Sequence, residues 1–282
     1  MPQVAEIQDI VLSTLRETDR DRYLACLLAP EDKRPALAAL YAFNAEIARV
    51  REAVREPLPG EIRLQWWRDL LEGTNGDTGG NPVAVALLSA VETYRLPRQT
   101  LVAMIEARIG DLYDDPLADR NELEGYAGET ASALIQLAGL VLSAEDAARS
   151  AEAAGHAGVA QAIAGLVLLM PAHRRRGQLY VPLDILAATG LDRDAFLAGE
   201  DTTRISAAVE AFAGLGLEHL AKARSAGPVS RAVFPAFLPV ALAEPVLRHA
   251  LRENSAVLQG QIQPPQWRRQ IRLMRALLLQ RF

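Results

Sequence analysis

The sequence is poor in cysteine and in aromatic residues. Its single cysteine, Cys26, excludes an internal disulfide framework and a cysteine-rich metal site, and it fits a reducing compartment. Aromatic residues make up only 5% of the chain, although 50% of the residues are hydrophobic. A core must therefore be built mainly from Ala, Leu, Val and Ile, and a supply rich in Ala and Leu favours helices over strands.

The sequence also lacks a surplus of positive charge and a long hydrophobic run. With 30 Lys and Arg against 35 Asp and Glu, the formal net charge is -5, which argues against a nucleic-acid-binding protein. The longest strongly apolar run, Ile163–Ala172, falls well short of the roughly 20 residues that a membrane-spanning helix needs. The N-terminal residues carry scattered charges and do not form a secretory signal. We expect a soluble protein, or at most one that is peripheral to a membrane.

Apolar residues recur at helical spacing almost throughout the chain, so the predicted fold class is all-α with no sheet. Asp119 is placed to cap a helix that runs from about Asn121 to Leu140. Ser143 with Asp146 resembles a capping box for the helix that follows.

The organisation of the chain is simple. It shows no internal repeat, no low-complexity tract and no linker between two cores. We therefore predict one domain that spans residues 1–282. A helix is expected at the N-terminus, over residues 1–20, and another at the C-terminus, over residues 264–282.

The predicted C-terminal helix is both basic and amphipathic. Its apolar residues fall on one face and its arginines crowd the rest, with Trp267, Ile271, Met274 and Leu278 set against Arg268, Arg269, Arg272 and Arg275. Such a helix is typical of a surface that binds a membrane or a partner protein. A terminal helix can also dock its apolar face on the body of the protein. We favour docking, which would leave the arginines free to meet anionic lipid.

Four segments, taken in chain order, resemble signature stretches of the squalene and phytoene synthases. They are Arg34–Phe43 (RPALAALYAF), Asp111–Leu112, Glu122–Tyr126 (ELEGY) with the helix of small residues after it, and Gly177–Pro182 (GQLYVP) followed by Gly190–Leu191. The resemblance runs from about Arg22 to Leu251. It implies an isoprenoid-synthase-like helical bundle around a central cavity.

The chain departs from that family at the metal-binding motifs. In the family, two DxxxD pairs each present two carboxylates on one helix face, and together they hold the Mg²⁺ ions that bind and withdraw a diphosphate. A gapless alignment puts those aspartates at Ala48 and Glu52, and at Leu169 and His173. Leucine has no ligating atom, and Pro171 is expected to disturb the helix. The resemblance thus implies degenerate metal positions, no catalytic residue, no metal and no cofactor.

Acids elsewhere offer another interpretation. Asp111 and Asp115 are four residues apart, so on a helix they would share a face and could rebuild a metal site. Pro116 breaks that run, and acids that precede a helix commonly form a solvated loop. We regard a relocated metal site as the weaker alternative.

Other segments resemble a non-catalytic branch of the same superfamily, the complex I (NADH–quinone oxidoreductase) assembly factors with a squalene/phytoene synthase domain. The similar segments are Ala42–Ala48 (AFNAEIA), Ile62–Trp67 (IRLQWW), Glu122–Tyr126, Ala160–Ile163, Val181–Ile185 and Phe234–Leu238. This resemblance implies an assembly or stability factor for respiratory complex I, with complex I subunits or assembly intermediates as partners. Its expected place is the cytoplasm or the surface of the inner membrane, on the matrix side in a eukaryote.

Two alternatives stay open at this point. The chain could be a divergent squalene/phytoene synthase-type prenyltransferase that joins prenyl diphosphates, with Mg²⁺ as its cofactor. It could also carry an isoprenoid or an anionic lipid in a retained apolar cavity. The degenerate motifs favour a pseudoenzyme over the first alternative.

The predicted pocket and anion site lie near the two degenerate motifs and comprise Arg34, Tyr41, Asn44, Glu46, His173, Arg174, Arg175, Arg176 and Tyr180. The three consecutive arginines would bind a diphosphate, a lipid headgroup or an acidic partner. They could instead form a solvated loop that complements the end of a helix. His173 could titrate near neutrality, but a lone histidine is more often structural.

Overall fold

The computed structural model describes residues 4–74, 77–260 and 263–282. These residues form helices joined by short turns, with no strand among them, which confirms the all-α prediction. Residues 1–3 of the expected N-terminal helix lie outside the described part. The α-helices are α1 Val4–Thr18, α2 Arg20–Leu27, α3 Arg34–Ala48, α4 Val50–Ala53, α5 Pro57–Glu72, α6 Pro82–Tyr94, α7 Arg98–Gly110, α8 Arg120–Ala127, α9 Ala133–Leu142, α10 Ala144–Arg149, α11 Ala151–Arg175, α12 Leu183–Ala188, α13 Arg193–Ala198, α14 Thr202–Ser225, α15 Phe234–Phe237, α16 Ala243–Glu253 and α17 Gln266–Leu279.

Two predicted N-caps are confirmed by hydrogen bonds. Asp119 Oδ1 accepts from the backbone N–H of Glu122 at 3.0 Å and starts α8. Ser143 Oγ accepts from the backbone N–H of Asp146 at 3.4 Å and starts α10. Each side chain satisfies a donor that the first helical turn leaves free. Local chemistry alone is therefore enough to place both helix starts.

The helix predicted over Asn121–Leu140 is present, since residues 120–142 are helical throughout, but it contains a wide turn that was not predicted. A π-helical turn at Gly128–Ser132 separates α8 from α9. Within this segment Thr130 Oγ1 donates to the carbonyl of Tyr126 at 2.6 Å, and Thr130 is buried. Such wide turns occur frequently at functional sites, and this one contributes Thr130 to the wall of the cavity described below.

Close packing against α11 accompanies the wide turn. Ser132 Oγ donates to the carbonyl of Gly155 at 2.7 Å. A Cβ built on Gly158 would lie 2.2 Å from Ser132 Oγ and 2.3 Å from its backbone nitrogen, so only glycine fits there. Sequence periodicity does not reveal this contact, because it joins segments that are distant in the chain.

α11 continues through Pro171 to Arg175, so the predicted disturbance of this helix is wrong. Pro171 removes one backbone donor, but it is buried together with Met170. Packing offsets the lost hydrogen bond. α11 is also long and apolar enough to cross a membrane by length and composition, yet 61% of that window is buried within the fold. It packs as a core helix.

Buried apolar side chains form two clusters. One includes Leu40 and Phe43 on α3, and the other includes Ile163 on α11 and Phe212 on α14. A cavity with a volume of about 1220 Å³ takes its wall from residues of both clusters. The described chain is therefore a helical bundle around a central cavity, as predicted.

α17 docks on the body of the protein with a face other than the predicted one. Leu273 and Ala276 are buried against the bundle. The expected docking face is solvent-exposed instead, with exposed fractions of 57% for Trp267, 45% for Ile271, 48% for Met274 and 77% for Leu278. The predicted orientation of this helix is wrong by roughly half a turn.

Polar contacts of two arginines explain the orientation of α17. Arg269 Nη1 donates to Asp21 Oδ2 on α2 at 2.5 Å, and Arg272 Nε donates to the carbonyl of Ala241 at 2.9 Å. Both contacts lie on the inward side of the helix. A sequence pattern ranks the faces by hydrophobicity, whereas these partners become available only in the folded chain. The helix itself begins at Gln266, after the N-cap residue Pro265.

Candidate functional site

The central cavity is the candidate site. Its wall is built from α2, α3, α4, α7, α8, the π-helical turn, α11, α14, α16 and α17. One side of the wall is apolar and comes mainly from α11, through residues such as Leu166, Leu168 and Leu169. The rest carries many charged side chains. Such a mixture suits an amphipathic ligand better than a purely apolar one.

The four degenerate metal positions converge on this cavity. Ala48 lies at the end of α3 and Glu52 on α4, while Leu169 and His173 lie on α11, and all four line the wall. The positions on α3 and α4 and the positions on α11 therefore line the same cavity. The four positions to which the resemblance assigned metal-binding aspartates thus line one cavity, but with other side chains.

The side chains at these positions do not fit Mg²⁺. Ala48 and Leu169 have no donor atom, and a hard divalent cation needs several oxygen ligands. Glu52 Oε1 instead accepts a hydrogen bond from Arg176 Nη1 at 3.4 Å. Within the described residues no group of three or more His, Cys, Asp and Glu is arranged to hold a metal ion.

Carboxylates at and beside this end of the cavity are each paired with an arginine. The pairs are Glu52 with Arg176 at 3.4 Å, Asp111 with Arg108 at 3.1 Å and Asp114 with Arg51 at 2.6 Å. Burial by itself would raise the pKa of Asp114, but hydrogen bonds from Arg51 and Gln178 bring it below its usual value. The arginines and carboxylates in these pairs neutralise one another. The positive charges of Arg51, Arg108 and Arg176 are therefore already paired and are not free to attract a diphosphate.

The alternative metal pair does not form. α7 ends at Gly110, so Asp111 and Asp115 do not share a helix face. Asp111 lines the cavity, whereas Asp115 is exposed and lies outside its wall. The helical spacing on which the alternative depended is absent from this segment.

Asp111 is the centre of a network that the sequence analysis did not identify. Tyr126 Oη donates to Asp111 Oδ2 at 3.1 Å and Tyr180 Oη donates to Oδ1 at 2.9 Å. Arg108 Nη1 donates to Oδ2 at 3.1 Å and also contacts Tyr126 Oη. Burial is the main cause that raises the pKa of both tyrosines above the ordinary value, so both hydroxyls remain protonated donors. The sequence signals were that Asp111, Tyr126 and Tyr180 fall in three of the family-like segments and that Tyr180 is among the predicted pocket residues.

His173 lies against Tyr180, with 4.6 Å between the two ring centroids. Burial, assisted by the nearby charge of Arg176, lowers the pKa of His173 to about 4. The imidazole is therefore neutral at physiological pH, and the expectation that it could titrate near neutrality is wrong. Among the other predicted residues, Asn44 and Tyr180 also line the cavity.

The three consecutive arginines do not form one site. Arg176 lines the cavity, but Arg174 turns away and donates from Nε to the carbonyl of Leu197 at 2.7 Å. Arg175 is exposed and does not contribute to the cavity wall. Consecutive residues on a helix point in directions about 100° apart, so the end of α11 separates them.

Three further predicted residues also lie outside the cavity wall. Tyr41 is buried, with the guanidinium carbon of Arg22 at 5.9 Å from its ring centroid. Glu46 accepts from Asn81 Nδ2 at 3.3 Å, and Arg34 Nε donates to the carbonyl of Ala29 at 3.0 Å. Each is engaged in holding helices together.

A second group of arginines lines the cavity near α14, α16 and α17: Arg224, Arg252, Arg268, Arg269, Arg272 and Arg275. Glu244 pairs with Arg224 at 2.7 Å, and Asp21 pairs with Arg269 at 2.5 Å. Among the described residues, Arg268, Arg272 and Arg275 form no ion pair. The sequence carried no sign that these arginines border a cavity, because α16 and α17 approach each other only in the folded chain.

The chain is similar to known proteins over most of its length. The sequence profile of the squalene/phytoene synthase family matches residues 15–270. Complex I assembly factor 6 of NADH dehydrogenase (ubiquinone) from Rattus norvegicus is 32% identical over 264 residues, which cover 93% of this chain and 79% of the rat protein. The Homo sapiens protein of the same name is 32% identical over 256 residues, which cover 89% and 76%.

The fold is also similar to a solved structure. A dehydrosqualene synthase in complex with a ligand aligns with a TM-score of 0.81 over 98% of this chain and 97% of that chain, at 17% identity. At that identity the likeness concerns the fold. The expected isoprenoid-synthase-like bundle is confirmed.

Proposed function

The chain belongs to the squalene/phytoene synthase family, and we propose that it serves as an assembly or stability factor for respiratory complex I (NADH–quinone oxidoreductase). The observation that carries this proposal is the similarity over most of the chain to proteins named as complex I assembly factors. The side chains at the four former metal positions support it.

The proposal excludes a synthase step from the main function. Departure of a diphosphate needs divalent ions or comparable electrostatic help at the leaving group. Ala48 and Leu169 supply no ligand, and Glu52 is engaged by Arg176. These residues support a pseudoenzyme that works without Mg²⁺ or another cofactor.

The proposed partners are subunits or assembly intermediates of complex I. The proposed location is where such intermediates form, at the surface of the inner membrane, in the cytoplasm of a bacterium or the matrix of a mitochondrion. The similarity to the named assembly factors supports both statements.

Deletion of the gene in its own host tests the proposal. We expect reduced NADH–quinone oxidoreductase activity and less assembled complex on native gels, with succinate–quinone oxidoreductase unchanged as the control. Wild-type chain and the Glu52→Ala variant should both restore the complex, because Glu52 is not used as a metal ligand. Normal complex I in the deletion strain would contradict the role, and rescue by wild type but not by Glu52→Ala would favour an enzyme.

The open cavity favours a second candidate, the binding of an isoprenoid or another lipid. A volume of about 1220 Å³ exceeds that of most small-molecule pockets. Native mass spectrometry of the purified chain would detect a retained lipid. Turnover of labelled farnesyl diphosphate that requires Mg²⁺ and stops with EDTA would instead restore the prenyltransferase alternative.

A further inference from the structure

An apolar stripe runs along the outward face of α17. Trp267, Ile271, Met274 and Leu278 follow one another at spacings of three and four residues, so they lie on one side of the helix. All four are exposed, although the same helix buries Leu273 on its other side. A monomeric soluble protein rarely leaves such a contiguous apolar surface uncovered.

Positive charge borders this stripe. Arg268 and Arg275 lie beside it on the surface, Arg272 is also exposed although its Nε donates to the carbonyl of Ala241, and α17 contains no acidic residue. The nearby acids are already paired, Asp21 with Arg269 and Glu244 with Arg224 and Arg248. The surface therefore has a surplus of arginine that is not neutralised within the described residues.

The same arginines connect the stripe to the cavity. Arg268, Arg272 and Arg275 line the cavity wall, and so do Ile271 and Leu279 on the same helix. One edge of α17 thus belongs to the cavity wall and the next edge to the exposed apolar stripe. A surface bound along α17 would lie beside the part of the cavity wall that α17 supplies.

We propose that the outward face of α17 is a docking surface for an anionic lipid bilayer. The stripe Trp267, Ile271, Met274 and Leu278 enters the boundary between headgroups and acyl chains, and the flanking arginines bind lipid phosphates. Amphipathic helices with an aromatic residue and arginines beside an apolar face bind anionic membranes in this way. Docking in this orientation places the α17 wall of the cavity next to the bilayer.

Charge favours a bilayer over a second copy of the chain. An isologous contact would pair the patch with itself and bring the arginine surplus of one copy against that of the other. An anionic bilayer supplies phosphates for every arginine and an apolar layer for the stripe. Lipid binding by this surface requires neither the complex I role nor any chemistry in the cavity.

Sedimentation with vesicles tests the proposal on the full chain. One set contains phosphatidylcholine alone, and the other also contains about 30 mol% phosphatidylglycerol. We expect the chain to bind the anionic vesicles about tenfold or more tightly than the neutral ones, and to be released by high salt. Equal binding to both sets, or no binding to the anionic set, would overturn the proposal.

Two variants with matched controls locate the surface. Met274→Ser/Leu278→Ser removes half of the stripe, and Leu58→Ser/Ile62→Ser is its control, because Leu58 and Ile62 are exposed apolar residues on α5. The first variant should lose about tenfold or more in affinity and the control should bind like wild type.

The charge variant is Arg268→Gln/Arg275→Gln, and its control is Arg55→Gln/Arg63→Gln, with both control arginines exposed at or near α5. We expect about a tenfold loss or more in the first and no more than a small loss in the second. If both charge variants lose affinity equally, the binding is not specific to α17 and the proposal is wrong.

Trp267 provides a direct probe of insertion. Trp67 is buried against Phe43 and Trp66, whereas Trp267 is exposed. Anionic vesicles should shift the tryptophan emission to shorter wavelength in wild type, and Trp267→Phe should remove the shift. A wild-type dimer that Met274→Ser/Leu278→Ser dissociates, with no emission shift on vesicles, would assign the stripe to self-association instead.

Discussion

Arg176 Nη1 donates to Glu52 Oε1 at 3.4 Å, so an arginine engages the carboxylate that remains at the four former metal positions. Glu52 belongs to α4 and Arg176 follows the last residue of α11, so the contact joins the two motifs across the cavity. In a metal-dependent relative of this fold, cations at this place would be held by carboxylates from both sides. Here the α11 side supplies the positively charged guanidinium of Arg176 instead of a carboxylate.

Mg²⁺ should not stabilise this protein. The unfolding midpoint should be the same in Mg²⁺ and in EDTA, because Ala48 and Leu169 provide no ligand and a site that binds no ion adds no linkage energy. Arg176→Gln should cost at most about 1 kcal/mol, since the pair is roughly 40% exposed on each side. A midpoint that rises steadily with Mg²⁺ concentration would refute this expectation.

Gly158→Ala should destabilise the fold strongly. The new Cβ would lie within 2.3 Å of the backbone of Ser132, which cannot move without shifting the π-helical turn. We expect a loss of about 1–3 kcal/mol in the free energy of unfolding by denaturant. Gly155→Ala on the same helix is the control, because its Cβ would meet no atom within 4 Å, and it should be neutral or slightly stabilising. Equal effects of the two variants would contradict the close approach.

Asp111→Ala should also be costly. It would leave Arg108 without its carboxylate partner and remove the acceptor of Tyr126 and Tyr180. The side chains of Arg108 and Asp111 are 18% and 9% exposed, so we expect a loss of about 1–3 kcal/mol in the free energy of unfolding by denaturant. Asp115→Ala is the matched control, because Asp115 is exposed, and it should change stability by less than about 0.5 kcal/mol. A neutral Asp111→Ala would show that the network does not hold the cavity wall.

Stability should fall as the pH is lowered from neutrality through His173. The pKa of His173 is about 4 in the folded chain, below the ordinary 6.5, because burial disfavours the charged ring. The unfolded chain therefore binds a proton first, and the free energy of unfolding decreases from about pH 6.5 down to about pH 4, by on the order of 1–3 kcal/mol. His219 contributes in the same direction, because burial also lowers its pKa.

The variant His173→Gln isolates this contribution. Its stability should depend less steeply on pH than that of wild type between about pH 6.5 and pH 4, in unfolding titrations at a series of pH values. The two curves should run parallel above pH 7, where both states hold a neutral ring. Identical slopes below pH 6.5 would mean that His173 is not desolvated in the folded chain.

Several features of the fold and the site followed from the sequence. The caps at Asp119 and Ser143 depend on residues only three positions apart, so local chemistry was sufficient. The convergence of Ala48 and Leu169 on one cavity followed from the family resemblance, which implied a bundle with both motifs facing inward. The choice of the docking face of α17, which relied only on the hydrophobic pattern of that helix, was wrong.

The sequence by itself determined the all-α fold and the absence of metal ligands at Ala48 and Leu169, because helical periodicity and side-chain chemistry are local properties. Tertiary structure decided which charges cancel and which faces stay open. Arg176 reaches Glu52, and Arg269 reaches Asp21, across 124 and 248 residues of chain. Such contacts depend on how helices pack, and packing is decided by the competition of all faces for one core.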